Sequence, residues 1–536
     1  MTSKDQLPEV NLDESKLKRK FKLTPKRLAL GIIALSLSVP VAATAANPNP
    51  NPTPDIRCQD LANQDFSGIL DAPTQLTDAK LIPASGTIPS HCRIVGYVKP
   101  QVGFDLLLPE KWNGKFMEVG CGGWCGSTDP SRCDSALRRG YACVDSDTGH
   151  KGSWGDTLWA DGNLPAQVDF GFRSIHVSAL AGKAIATRYY ERGPAHSYFV
   201  GCSTGGYQGV MAAQRFPWDF DGIVAGAPDI DQGGANMRAL WIARVFLDND
   251  GKPLLTHDAL HLTHEAVLKR CDMDDGVKDG IIGDPLACNF DPAELLCKSG
   301  QTSGCLTPAQ VEVVRKLYSG PMTSDGKSIS TGGFLRGSEL GWEHFWPAWG
   351  VEQFFKYGVW GYSAGPNFKY TDFDFDRDYK RLGLAPWYEN SNPDLRKFKG
   401  AGGKLIVYHG GTDTVDLPGA MIDYYETVEK TMGGRASTQD FFRLFLIPGM
   451  NHCSGGAGAY AIDYVSQLES WVEQGKTPDV LVGAHPSDSY HGPIEWPLDP
   501  SIPVDFTRPV YPYPTKAKYV GRGDPNRESS FGPVAH

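Results

Sequence analysis

The sequence predicts an α/β fold, a mostly parallel sheet with helices packed on it. Three observations predict it: short apolar runs alternate with stretches of helical spacing, a serine framed by glycines stands where one such run passes into a helix, and the alternation resumes near residue 404 after a long break. In chain order, Phe104–Leu108, Lys115–Val119 and Tyr141–Val144 are β-rich runs punctuated by Gly and Pro, and read as strands. Phe172–Tyr190 has apolar residues at helical spacing, Ser197–Val200 reads as a short strand, and Gly206–Phe216 is again helical. The pattern fades after Pro228. It returns with a strand at Lys404–Tyr408, a helix around Ala420–Thr431 and a strand at Arg443–Ile447. The stretch between, roughly residues 229–395, is rich in Trp, Gly and Asp and holds four cysteines. It reads as a lid domain inserted into a core formed by residues 55–228 and 396–536, the latter including a C-terminal tail.

Before the core come two segments of different character. A basic stretch from Lys16 to Arg27 leads into an apolar segment, Leu28–Ala42, and then Ala43-Thr44-Ala45, the order of a signal peptide spanning residues 1–46. The apolar run is about 15 residues, short of the roughly 20 that span a bilayer, so no stable membrane anchor is expected. Residues 47–54 alternate Asn and Pro and read as an extended linker. Cleavage after Ala45 removes eight Lys/Arg and four Asp/Glu, moving the formal charge from −10 to −14. So acidic a chain is not suited to nucleic acid. With 41% hydrophobic and 21% charged residues the composition is globular. Twelve cysteines behind an export signal point to disulfides and a secreted or periplasmic location. Zinc is disfavoured, because only Cys121 and Cys125 approach a ligand spacing.

Gly201-Cys202-Ser203-Thr204-Gly205-Gly206 lies between the strand Ser197–Val200 and the following helix, and matches Gly-x-Ser-x-Gly. That is the nucleophile elbow of an α/β-hydrolase core: a strained turn exposes the serine hydroxyl, small neighbours prevent clashes, and the helix N-terminus favours negative charge. A serine hydroxyl needs a base, and in this fold the order is Ser, acid, His. Asp413 in Tyr408-His409-Gly410-Gly411-Thr412-Asp413 and His452 in Ile447-Pro448-Gly449-Met450-Asn451-His452-Cys453 fit that order, each just after a strand. Asp416 is the rival acid and His409 the rival base; His176 and the other histidines read as structural. An oxyanion requires two backbone donors. Thr204 supplies one, and Gly122 or Gly123 in Gly120-Cys121-Gly122-Gly123-Trp124 supplies the other.

A cysteine immediately before the nucleophile (Cys202) and another immediately after the base (Cys453) resemble the tannase and feruloyl esterase family. The likeness extends over essentially the whole chain after the leader, including Asp145-Ser146-Asp147-Thr148-Gly149-His150, Phe220-Asp221-Gly222-Ile223-Val224-Ala225-Gly226-Ala227-Pro228 and Phe373-Asp374-Phe375-Asp376. The resemblance implies a Cys202–Cys453 bond tying nucleophile to base, and further pairs Cys58–Cys92, Cys271–Cys288 and Cys297–Cys305. Cys121, Cys125, Cys133 and Cys143 are left with three possible connectivities. It also implies a structural calcium site in Cys271–Ile281, with the side chains of Asp272, Asp275 and Asp279 and the carbonyls of Val277 and Ile281 as ligands. Spaced acids and glycines suit such a cation, which takes six to eight oxygens. The loop is not an EF-hand, lacking the Glu at position twelve. Tyr511 stands where some relatives have a tail cysteine.

The expected reaction is hydrolysis of a small aromatic ester through an acyl-enzyme, with no redox or nucleotide cofactor. The resemblance implies galloyl or hydroxycinnamoyl esters, carried in some cases on plant polysaccharide or polyphenol, or the monoester mono-hydroxyethyl terephthalate. Trp342, Trp346 and Trp349 of the inserted segment offer a flat wall for such a ring, or else core. A general carboxylesterase keeps the chemistry with another substrate. A non-catalytic binding protein on a hydrolase fold would have lost Ser203, Asp413 or His452, and none is lost.

Overall fold

The computed structural model describes residues 54–153, 155–344, 348–357, 363–381, 386–487 and 495–534. The expected signal peptide, and the linker up to residue 53, lie outside the described residues.

Nine strands form one sheet: β1 (Thr74–Ile82), β2 (His91–Val98), β3 (Val102–Pro109), β4 (Lys115–Val119), β5 (Ala142–Ser146), β6 (His196–Cys202), β7 (Gly222–Gly226), β8 (Lys404–Gly410) and β9 (Phe442–Ile447), in the order 1-2-3-5-4-6-7-8-9. The pairs 1-2, 2-3 and 3-5 are antiparallel; from β5 to β9 every pair is parallel. Parallel strands point their carboxyl ends the same way, so the loops after β4, β6, β7, β8 and β9 gather along one edge, where open α/β sheets bind ligands.

Helices cover both faces, which is why the central strands are apolar throughout. In β6, Phe199 packs into the cluster beneath helices Ser174–Tyr190, Thr204–Arg215 and Pro418–Thr431, while Tyr198 and Val200 point into the cluster beneath helix Tyr464–Gln474. In β8, Leu405 and Val407 face the first cluster, Ile406 and Tyr408 the second. This period-two alternation fixes register across the sheet, because a slip of one residue would exchange the two faces.

Three strands of this sheet were not apparent in the sequence. β1 buries only two of its nine residues, Thr74 and Ala79, and carries an irregularity between Leu76 and Asp78, so its polar positions dilute the pattern. β2 lies beside it and pairs with it antiparallel. β7 is five buried residues with glycine at both ends, too short and too uniform to show a period.

The segment between β7 and β8 has hydrophobic clusters of its own. Helices Gln232–Phe246, His257–Cys271 and Pro308–Ser319 contribute Trp241, Leu260, Val314 and Leu317 to one of them. Trp342 is buried there, stacked on Phe334 at 5.1 Å and edge-on to Tyr318 at 5.3 Å, so it is core and not a wall for a substrate ring. Phe345, Trp346 and Pro347 lie outside the described residues.

All twelve cysteines are paired: Cys58–Cys92, Cys121–Cys125, Cys133–Cys143, Cys202–Cys453, Cys271–Cys288 and Cys297–Cys305. Sequence alone left the pairing of the four between 121 and 143 open; space decides it, since Cys133 precedes the short helix Asp134–Arg138 that leads back into β5, which carries Cys143.

Candidate active site

Ser203 occupies the single residue between β6 and helix Thr204–Arg215, with φ 62° and ψ −123°. A non-glycine residue at positive φ is strained, and such strain concentrates at functional turns. The turn is held on both sides: the Ser203 N–H donates to the Gly226 carbonyl at the end of β7 (3.0 Å), and the Ser203 carbonyl accepts from the Tyr207 N–H (2.9 Å). The glycines around it are sterically required. A Cβ on Gly206 would stand 2.1 Å from the Gly226 oxygen, and one on Gly201 would stand 2.8 Å from the Gly205 Cα.

Asp413 and His452 come from the loops after β8 and β9. His452 Nδ1 donates to Asp413 Oδ2 at 2.8 Å, while Asp413 Oδ1 accepts from the Val415 and Asp416 amides at 2.8 and 3.0 Å. Burial opposes the charge on Asp413, but the positive His452 and hydrogen bonds from His409 and His452 outweigh it and hold the carboxyl well below the usual range. Burial likewise opposes the imidazolium. The charge and hydrogen bond of Asp413, with Asp416 and Asp229 behind them, win and push His452 up to about 9. Nδ1 is thereby committed to Asp413, which leaves Nε2 as the nitrogen available for proton transfer.

The Cys202–Cys453 bond joins the neighbours of Ser203 and His452 directly, with Cα atoms 5.9 Å apart across 251 residues of sequence. In the chain-entropy model a loop of that length corresponds to about 5 kcal/mol.

The two rivals have other positions. His409 is fully buried in β8 and its Nε2 donates to the Asp416 carbonyl at 2.6 Å, so it braces the loop and is shielded from solvent. Asp416 Oδ2 lies 3.9 Å from His452 Nε2, on the opposite nitrogen from Asp413.

Thr204 and Gly123 line the same cleft as Ser203; Gly122 does not. The Thr204 hydroxyl donates to the Gly123 carbonyl at 2.6 Å, clamping the glycine loop to the elbow. The Gly122 carbonyl accepts from the Cys125 N–H at 3.1 Å. In a trans peptide the N–H points opposite to the carbonyl, so the Gly123 N–H is turned away from Cys125.

The cleft is open to solvent. Trp124, Phe170 and Ile242 give it apolar walls, the first two rings 5.7 Å apart. Sequence reasoning missed its polar groups Asp229, Asn236 and Arg238. Asp229 stands three residues beyond β7, at the functional edge of the sheet, and an unrecognised β7 hid it; Asn236 and Arg238 sit on helix Gln232–Phe246, which carries no motif.

In the loop expected to hold calcium, Asp272 Oδ1 accepts from the Asp279 and Gly280 amides, Asp275 Oδ1 from Val277, and Asp279 Oδ1 from Ile281. Arg508 pairs with Asp279 Oδ2 at 2.7 Å. Among the described residues no three His, Cys, Asp or Glu side chains are gathered closely enough to hold an ion. Burial, opposed by the Val277 amide and the Arg508 charge and reinforced by Asp279 and Asp272, pushes Asp275 up to about 6.

Comparison with known proteins agrees with this geometry. The family model for tannase and feruloyl esterase matches residues 86–534. Mono(2-hydroxyethyl) terephthalate hydrolase of Piscinibacter sakaiensis is 33% identical, covering 84% of this chain and 86% of its own. Probable feruloyl esterase B of Emericella nidulans is 31% identical, covering 87% and 94%. The crystal structure of feruloyl esterase B from Aspergillus oryzae superposes with a TM-score of 0.80 at 27% identity, over 90% of this chain and all of that one. A strained serine turn, an Asp–His pair at the same sheet edge and a family match over most of the sequence lead to one conclusion: the chain belongs to the tannase and feruloyl esterase family of carboxylic ester hydrolases.

Proposed function

We propose that Ser203, His452 and Asp413 hydrolyse esters of aromatic acids through an acyl-enzyme. The observation that carries this is the 2.8 Å bond from His452 Nδ1 to buried Asp413, on a histidine whose neighbour is disulfide-bonded to the neighbour of Ser203. Ser203 Oγ attacks the ester carbonyl as His452 Nε2 takes its proton, and the Thr204 and Gly123 N–H groups receive the developing oxyanion. His452 then gives the proton to the departing alkoxide. Water repeats the sequence on the acyl-enzyme, releasing the acid and regenerating Ser203. Asp413 keeps Nδ1 protonated and stabilises the imidazolium while it lasts.

Trp124 and Phe170 support an aromatic acyl group, since flat rings pack on them at low entropic cost. The names of the relatives support hydroxycinnamoyl esters first, free or borne on polysaccharide or polyphenol, and the terephthalate monoester second. Six disulfides support a secreted or periplasmic enzyme, and no described helix is long and apolar enough to cross a membrane. Asp272, Asp275 and Asp279, with the carbonyls of Val277 and Ile281, would hold a calcium ion whose part is to brace the loop.

Acid release from methyl ferulate, methyl gallate and mono(2-hydroxyethyl) terephthalate, wild type against Ser203→Ala, tests the proposal. Hydrolysis by the wild type alone is expected; equal rates in both proteins, or no hydrolysis of any aromatic ester, would overturn it.

A further inference from the structure

Beyond the groups assigned to the reaction, the cleft holds polar groups that the mechanism leaves unused. Asp229 follows β7, Asp416 lies three residues after Asp413, and Arg238 projects from helix Gln232–Phe246; all three line the cleft with Ser203. Asp416 Oδ2 is 3.9 Å from His452 Nε2, the nitrogen that serves the leaving alcohol, so this carboxyl stands beside the bound ester. Among the described residues that line the cleft, the guanidinium is that of Arg238, and it is already engaged. Arg238 donates to Ser330 Oγ at 2.9 Å and to the Ile230 carbonyl at 3.4 Å, and lies 3.6 Å from Asp229 with its side chain only 4% exposed.

The cleft thus sets two carboxyl groups against one committed arginine and a histidine paired with Asp413. Burial holds both carboxyls above their ordinary range; Asp416's charge adds to the effect at Asp229, and at Asp416 the opposing His452 and reinforcing Asp413 follow.

We propose that Asp229 and Asp416 make the cleft selective for uncharged esters bearing hydroxyl donors, and that they disfavour an ester carrying its own carboxylate. The inference rests on the cleft being the site of ester hydrolysis. A phenolic or alcoholic O–H donates to either carboxyl oxygen, whereas a carboxylate brings acceptors to acceptors and like charge to like. Specificity of this kind comes from the disfavoured partner as much as from the favoured one. It separates this chain from its terephthalate-monoester relative, whose named substrate carries a free carboxylate.

Bis- and mono(2-hydroxyethyl) terephthalate present the same scissile ester without and with that carboxylate. The wild type is expected to favour the bis-ester in kcat/KM by about tenfold or more, and Asp416→Asn and Asp229→Asn each to shrink that ratio at least about threefold. The ratio is internal to each protein, so a variant that folds in part still reports it. Inhibition of the wild type needs no variant: terephthalamide is expected to bind more tightly than terephthalate. A wild type that prefers the mono-ester, or a ratio unchanged in both variants, would overturn the proposal. Failure to cleave either terephthalate or methyl ferulate would instead defeat the esterase reading, and this inference with it.

Discussion

The cleft is built from two regions that differ in how tightly the chain determines them. On the core side, Ser203 follows directly on a parallel strand, Asp413 and His452 lie in the loops after two others, and a disulfide beside Ser203 and His452 adds a covalent tie. On the other side, Asn236, Arg238, Ala239 and Ile242 come from a helix of the segment between β7 and β8, a segment with a hydrophobic core of its own. Chemistry tolerates little displacement, so it sits on the rigid sheet edge; selectivity is carried by whatever packs above it. The lesson is that the two are separable, and substitutions on each side should read out differently.

The largest expected effect is on the core side. Asp413→Asn removes the acceptor that fixes the histidine tautomer and is expected to lower kcat on methyl ferulate by about 10⁴ with little change in KM. A loss below tenfold would mean that Asp416 takes over, and the division between the two acids would collapse. A smaller effect comes from Asp416 itself. His452 is the base only when neutral, and its pKa is raised to about 9, so kcat/KM should climb with pH to a limb near that value. Removing a neighbouring negative charge destabilises the imidazolium, so Asp416→Asn should move the limb to lower pH. A pH–rate profile checks the sign; a limb that stays in place or rises would contradict it.

Legibility in the sequence followed the same division. The elbow could be read because the steric demand is local: Gly201 and Gly206 must lack a Cβ within three residues of Ser203. The order of acid and base could be read because each lies in the loop after a strong apolar strand. Asp229 could not, because β7 is five residues with no alternation, and Arg238 could not, because its role depends on where a helix from another layer lands. Trp342 stayed open between wall and core for a related reason: a tryptophan in an inserted segment looks the same in sequence whether it lines a cleft or fills a core, and here Phe334 and Tyr318 enclose it. β1 escaped notice since a largely exposed strand mixes polar residues into its pattern, and β2 since His91, Arg93 and Gly96 interrupt its apolar run.

The central claim, that the hydroxyl of Ser203 is the nucleophile, is tested most directly by covalent trapping. Incubation with diethyl p-nitrophenyl phosphate, followed by intact-mass and peptide analysis, is expected to show one diethylphosphoryl group on the peptide containing Ser203, loss of esterase activity in step with it, and no adduct on Ser203→Ala. An adduct on a different residue, or inactivation of the wild type with Ser203 unmodified, would contradict the account.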